Sequence, residues 1–283
     1  MKTFPVPVRA VGAGSQPAED ADFDYLPMPR EMSTFTYPRL PEDADAANMA
    51  QARDLLVLLL QRYDSPDARI DLVDLPAGAL KVLNETLGEG EVAIRIATPC
   101  EVRIQETVFA GVWRECHYDE EGRLRHDFLQ ACGIPAIALE RAAEGALAEL
   151  PPIEPPPGAM NVPALLTEIR EQMRAHRAGD EPHVINLTLL PLSPADQLCL
   201  DEALGSGAVA ILSRGFGNCR ITSTRARHVW RVQYFNNMQT LILNTLEIVD
   251  VPEVAVAADD DLADSRERLS ELLDWMGECA QAG

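Results

Sequence analysis

The chain repeats itself. Leu75 to Ile94 reads LPAGALKVLNETLGEGEVAI, and Leu192 to Ile211 reads LSPADQLCLDEALGSGAVAI, a gapless offset of 117 positions (75 to 192). At the same offset Arg103-Ile104 falls on Arg220-Ile221, Val112-Trp113-Arg114 on Val229-Trp230-Arg231, and Pro135 on Pro252. Of the forty pairs from Leu75 to Arg114, fifteen are identical, where average composition would give roughly two or three. A period this long means two copies of a small domain rather than a solenoid. Whatever fold the first copy adopts, the second is expected to adopt too, with Trp113 equivalent to Trp230 and Gly88 to Gly205.

Local patterning fills in the unit. Apolar residues recur at helical spacing from Ala47 to Tyr63, and Ile70 to Val73 reads as a short strand. Pro76 opens a helix that ends at Gly88, placed where a left-handed residue is wanted. Strands are expected at Glu91 to Ile96, at Val102 to Tyr118 (one long strand, or two with a bend near Phe109 to Gly111) and at Phe128 to Cys132, with a helix after Pro135. The second copy repeats the order: a helix from Pro163, alternation over Ile185 to Leu189, and a helix from Ser193-Pro194-Ala195-Asp196 to Gly205. Strands follow at Ala208 to Leu212, Cys219 to Phe235 and Thr240 to Val249, and Glu253 to Ala258 matches the start of the first copy's last helix. The expected class is α+β, built from a duplicated helix–strand–helix–multistrand unit.

Composition shifts set the boundaries. Residues 1–47 carry seven prolines by position 41, interleaved with Phe23, Tyr25, Leu26, Met28, Phe35 and Tyr37. Proline keeps such a segment extended, so it reads as an arm whose aromatics anchor it across a sheet edge or groove. The first repeat domain spans 48–150 and the second 162–258. Between them lies a proline-rich linker, 151–161, in a stretch with six prolines over positions 151–163. Residues 259–283 form an acidic amphipathic helix with Leu262, Leu269, Leu272, Leu273 and Met276 on one face.

Charge narrows the function classes. With 45 acidic residues against 24 basic ones, a formal net charge of −21, the surface repels phosphate backbones and anionic lipid. Neither nucleic-acid binding nor membrane insertion is expected. No run of 18 apolar residues exists and prolines interrupt the N-terminus, so a cytoplasmic protein is expected. The six cysteines, at 100, 116, 132, 199, 219 and 279, form no C-x-x-C pair. They read as small buried hydrophobes, with no metal ligand and no cofactor assigned.

No pattern names an enzyme. Gly88-Glu89-Gly90 and Gly215-Phe216-Gly217 lack the rest of a phosphate-binding fingerprint and read as turns. No serine stands in G-x-S-x-G, no H-E-x-x-H exists, and the histidines at 117, 126, 176, 183 and 228 are scattered. His228 draws attention because it precedes the repeated Val-Trp-Arg, but its counterpart is Gly111. In Val-Trp-Arg a strand turns the Trp inward and the Arg to the other face. Packing explains the pattern; a paired Trp/Arg recognition surface is the sharper alternative. The candidate partner-binding residues are therefore Phe23, Tyr25, Met28, Phe35, Tyr37, Arg114, His228 and Arg231. Gly88, Gly90, Trp113, Gly205, Gly207 and Trp230 are the structural anchors of the repeat.

The duplicated LGEGEVAIRI and LGSGAVAI segments, Val112-Trp113-Arg114, Arg227-His228-Val229-Trp230, Ile185-Asn186-Leu187-Thr188, the proline-rich linker, Pro252-Glu253-Val254 and the tail SRERLSELLDW together resemble the hydrogenase expression/formation proteins of the HupH/HyaF/HoxQ type. The resemblance implies a non-catalytic accessory protein for maturation of an uptake [NiFe] hydrogenase. It implies a partner as well, the iron–sulfur small subunit precursor before export, and possibly a second maturation accessory protein. The alternative in the same pathway is a metal or iron–sulfur cluster carrier. No clustered cysteine motif accompanies it.

Overall fold

A computed structural model describes residues 45–282, apart from 64, 66–68, 98, 99 and 216 and the side chains beyond 277. The arm with Phe23, Tyr25, Met28, Phe35 and Tyr37 lies outside the described residues.

The first half begins with helix α1 (Ala46–Gln61), short strand β1 (Ile70–Asp71) and helix α2 (Ala77–Leu87). Four strands follow, β2 (Val92–Ile96), β3 (Val102–Glu106), β4 (Val112–Tyr118) and β5 (Leu124–Ala131), then helix α3 (Ala136–Ala143). The second half holds α4 (Val162–Ala175), β6 (His183–Asn186), α5 (Pro194–Leu204), β7 (Val209–Ser213), β8 (Asn218–Ser223), β9 (Val229–Phe235) and β10 (Leu241–Ile248). A 3-10 turn at Glu253–Ala255 leads to the last helix, α6 (Asp259–Ala282). Bounds of α2 and α5, β2 and β7, β4 and β9, and β5 and β10 all fall 117 positions apart (77 to 194, 92 to 209, 112 to 229, 124 to 241). Trp113 and Trp230 each take the second position of their strand.

The ten strands among the described residues form one sheet in the order β1-β5-β4-β3-β2-β7-β8-β9-β10-β6. The halves are thus not separate bodies. They join where β2 runs antiparallel to β7, and Ile94 sits opposite Ile211, its own counterpart 117 residues on. Read outward from this seam, the order is the same on both sides. Strand alternation then sorts the side chains. Ile94, Ile96, Ile104, Trp113, Ile211, Ile221, Trp230 and Val232 share one core, which α3 and the 3-10 turn also enter through Ile137, Ala138 and Ala255. The other face carries two cores. In one, α1, α2 and α6 cover Val112, Leu129 and Ala131; in the other, α4 and α5 cover Val229, Leu246 and Ile248.

Local chemistry explains where the elements start and stop. Ser193 caps α5 through a reciprocal capping box with Asp196. Gly88 and Gly205, at φ 55° and 56°, close α2 and α5. Their ψ values of −164° and −178° lie in a region open to glycine alone, not in the left-handed helical well expected for Gly88. At Gly90 and Gly207 the constraint is contact: an added Cβ would stand 2.1 Å from the Thr107 carbonyl oxygen or 2.2 Å from Ser223 Oγ.

Three expectations are corrected. Cys219 to Phe235 is two strands, because the Thr224 hydroxyl accepts the Ala226 N–H at 3.1 Å and folds a turn there. Thr107 does the same for Phe109 at 3.2 Å, which selects the two-strand alternative already expected for Val102 to Tyr118. Residues 187–189 leave the ladder expected over 185–189: Asn186 Oδ1 accepts the Thr188 N–H at 3.0 Å and turns the chain. Glu253 to Ala258 yields only the 3-10 turn, since the chain crosses to the first half, where the Ala257 N–H donates to the Gly133 carbonyl at 3.0 Å.

The linker is pinned. Asp196, fully buried, accepts the N–H groups of Met160, Asn161 and Val162 on Oδ1 and that of Ser193 on Oδ2, all within 2.8–2.9 Å. Arg170 holds the Leu150 and Pro151 carbonyls from the α4 side.

Candidate functional site

In each half one corner gathers the end of the first helix, the residue before the Val-Trp-Arg strand, and the end of the fourth long strand. In the first half the two strand positions are Gly111 and Gly133; in the second, 117 on, they are His228 and Asp250, joined by His176 at the C-cap of α4. The backbone is alike in both. Gly111 has φ 74° and His228 has φ 61°, and the Cys132 and Val249 N–H groups donate to the Gly111 and His228 carbonyls at 2.8 and 2.9 Å. A left-handed φ is free for glycine and costs energy for histidine. The first corner is roofed by α6: Leu262 packs where a side chain on Gly111 would go. A cleft remains beside it, lined by Tyr63, Cys132, Gly133, Asp259, Leu262 and Arg266 among others.

The second corner has no such roof among the helices described, and its three polar side chains converge. His176 Nε2 lies 2.9 Å and His228 Nδ1 3.2 Å from the same Asp250 Oδ1. The imidazole centroids are 4.5 Å apart. Asp250 Oδ2 accepts the Gly179 N–H at 2.8 Å, and its backbone carbonyl accepts the Trp230 indole N–H at 3.2 Å. The repeated Trp thus braces the corner from the shared core. The His176 side chain is 5% exposed, whereas those of His228 and Asp250 are about one-third open. Burial lowers the His228 pKa, and the neighbouring His176 and Arg227 lower it further against the pull of Asp250. Burial alone would raise the Asp250 carboxyl. The His176 and Gly179 hydrogen bonds and the two imidazoles outweigh it and hold the group below its ordinary range.

Arg114 and Arg231 are occupied within the molecule. Arg114 makes a bidentate pair with buried Asp127, at 2.9 and 2.6 Å, and also reaches Asn84 on α2. Arg231 reaches Asp201 on α5 at 2.8 Å. Asn84 and Asp201 are themselves 117 apart, so each arginine ties its sheet half to the same helix position.

Among the described residues the cysteines do not gather. Cys199 and Cys219 are buried, Cys116 and Cys132 half-buried, and Cys100 is exposed, contrary to its expected place in the core. Burial pushes the Cys132 and Cys219 thiols up to about 12 and Cys116 to about 11, so all three stay protonated at neutral pH. The three-residue corner is the one group among the described residues placed to hold a metal ion. Reading the histidines as scattered missed His176 and Asp250, which no local motif marks. The repeat itself carried the signal, for two glycines of the first half become potential ligands in the second.

Fold and site define an α+β protein of two matched sheet halves with one polar corner. A family model described as the C-terminal conserved region of the HupH hydrogenase expression protein matches residues 50–149 and 159–276. The chain belongs to this family of hydrogenase expression/formation proteins. It is 46% identical to the hydrogenase expression/formation protein HoxQ of Cupriavidus necator, covering 98% of this chain and 99% of that one. It is 44% identical to HupQ of Azotobacter chroococcum, over 92% and 94% of the two chains. With the hydrogenase-1 operon protein HyaF of Escherichia coli the identity is 36%, over 95% and 96%. A solved structure, the hydrogenase expression protein HupH from Thiobacillus denitrificans, is 28% identical, spans 40% of this chain and 95% of its own, and superposes with a TM-score of 0.38.

Proposed function

We propose that this protein is a non-catalytic assembly chaperone for an uptake [NiFe] hydrogenase, binding the iron–sulfur small subunit precursor in the cytoplasm before export. The observation that carries the reading is its kinship, over nearly its whole length, with proteins named for hydrogenase expression and formation. Its surface charge fits a protein-binding role and disfavours nucleic acid. No helix among the described residues is long and apolar enough to cross a membrane. The chain arose, in this reading, by duplication of one α+β unit, which supplies two related faces for a client. The test is co-purification of the tagged full-length protein from cells making both hydrogenase subunits. Recovery of the small subunit precursor supports the reading; recovery of the large subunit alone, or of neither, refutes it.

A second reading, a metal or cluster carrier in the same pathway, has one specific observation in its favour: the His176–His228–Asp250 corner. A cluster bound through cysteine is disfavoured by the scatter of the five described cysteines.

A further inference from the structure

We infer that the corner formed by His176, His228 and Asp250 is a binding site for one divalent first-row transition-metal ion, with no equivalent at the matched glycines of the first half. Two imidazole nitrogens and one carboxylate oxygen, all within 4.8 Å of one another, make a donor set suited to zinc, nickel, copper or ferrous ions rather than to calcium or magnesium, which want oxygen. Ligands about 2.0–2.1 Å from a tetrahedral ion stand about 3.3 Å apart. The two His–Asp separations, 2.9 and 3.2 Å, need only a small opening to admit one.

The ordinary alternative is a hydrogen-bonded His–Asp pair that merely packs. Such a pair needs only one imidazole, yet a second, one-third exposed, is brought to the same oxygen. Nor does the fold require polar side chains at the strand ends here, since the matched positions of the first half are Gly111 and Gly133. His228 holds a left-handed backbone that its counterpart gives to glycine. Strain of this kind persists where a side chain must be aimed. Rigid support is in place as well. Gly179 fixes the second Asp250 oxygen, which keeps Oδ1 aimed at the two imidazoles, and the Trp230 indole fixes the Asp250 backbone. One-third exposure of His228 and Asp250 gives an ion entry and leaves water to complete its coordination.

The inference is independent of the maturation reading and is tested without any hydrogenase. Full-length protein, stripped of metal by chelator, is titrated with Zn2+ by equilibrium dialysis or calorimetry. The wild type is compared with His228→Gly, Asp250→Asn and, as a control on adventitious thiol binding, Cys100→Ser. His228→Gly installs the residue of the matched corner, so its metal-free form should melt no lower than the wild type. Expected is one zinc per wild-type chain, retained in Cys100→Ser and weakened at least tenfold in both His228→Gly and Asp250→Asn. Two outcomes overturn the proposal: no saturable binding by the wild type below about 100 μM, or one-to-one binding that both corner variants retain. Small-subunit capture can succeed or fail in either case, which keeps the two readings apart.

Discussion

Two buried carboxylates show how single residues set stability here, and they act with opposite sign. Asp196 accepts four backbone N–H groups and the Ser193 hydroxyl, and although burial opposes it, these bonds hold its pKa well below the ordinary carboxylate range. Hydrogen bonds to a charged acceptor contribute about 1.5–3 kcal/mol each and leave unmet donors when lost. Asp196→Ala should therefore cost about 3 kcal/mol or more in urea unfolding at pH 7. Because the folded pKa is depressed, this contribution is fully present above the unfolded value near 3.8 and fades as pH falls below it. The acid limb of the wild-type stability profile should be steeper than that of the variant. Glu106 is the reverse case. It is 6% exposed, and desolvation raises its pKa to about 6 although Gly111 N–H donates to it. Its penalty is absent below about pH 4.5, grows through pH 6 and is complete above, where it amounts to about 2 kcal/mol. Glu106→Gln should then stabilise the protein at pH 8 and change little at pH 4.5; equal effects at both would show that burial is not the cause.

At the scale of elements, α6 is what distinguishes the halves. It packs along α1 and contributes Leu269, Leu272, Leu273 and Met276 to the first core, all of them buried. Each such side chain is worth about 1.5–3 kcal/mol, and together they rival the 5–15 kcal/mol that typically holds a domain folded. A chain ending at residue 258 should lose cooperative unfolding of its first half and bind a hydrophobic dye, while peptide-level hydrogen exchange in α4 and α5 stays slow. Much of this layout was legible in the sequence. The α6 stripe, the Ser193 cap and the paired bounds of α2/α5 and β4/β9 follow from spacing and repetition, which depend on neighbours along the chain. What was not legible depends on contacts across it. Nothing local shows that Ala257 donates to Gly133 and so ends the last helix of the second unit early. Likewise His176 and Asp250 lie 74 positions apart and meet only because α4 ends over the end of β10. The turns at Thr107 and Thr224 sit between the two cases, since the identical threonines were visible but their turn-forming hydroxyl bonds were not.

For the whole molecule, the seam between β2 and β7 decides whether two units behave as one. Ile94 and Ile211 face each other there at 2% and 0% exposure, inside a core fed by both halves. A charge at this position has no partner, so Ile211→Asp should unfold both halves together in a single transition, whereas the same change at exposed Leu198 should be nearly silent. A continuous sheet also means that the client-binding faces proposed above are held in fixed relation. The claim that matters most is the client itself. Cells lacking this protein, but with the large subunit and all other maturation factors intact, offer the most direct measurement: the fate of the small subunit precursor, followed by immunoblot before and after export. The account predicts that the precursor is degraded or stays unexported, that large-subunit processing proceeds normally, and that the full-length chain restores export. Normal small-subunit export in its absence would contradict it.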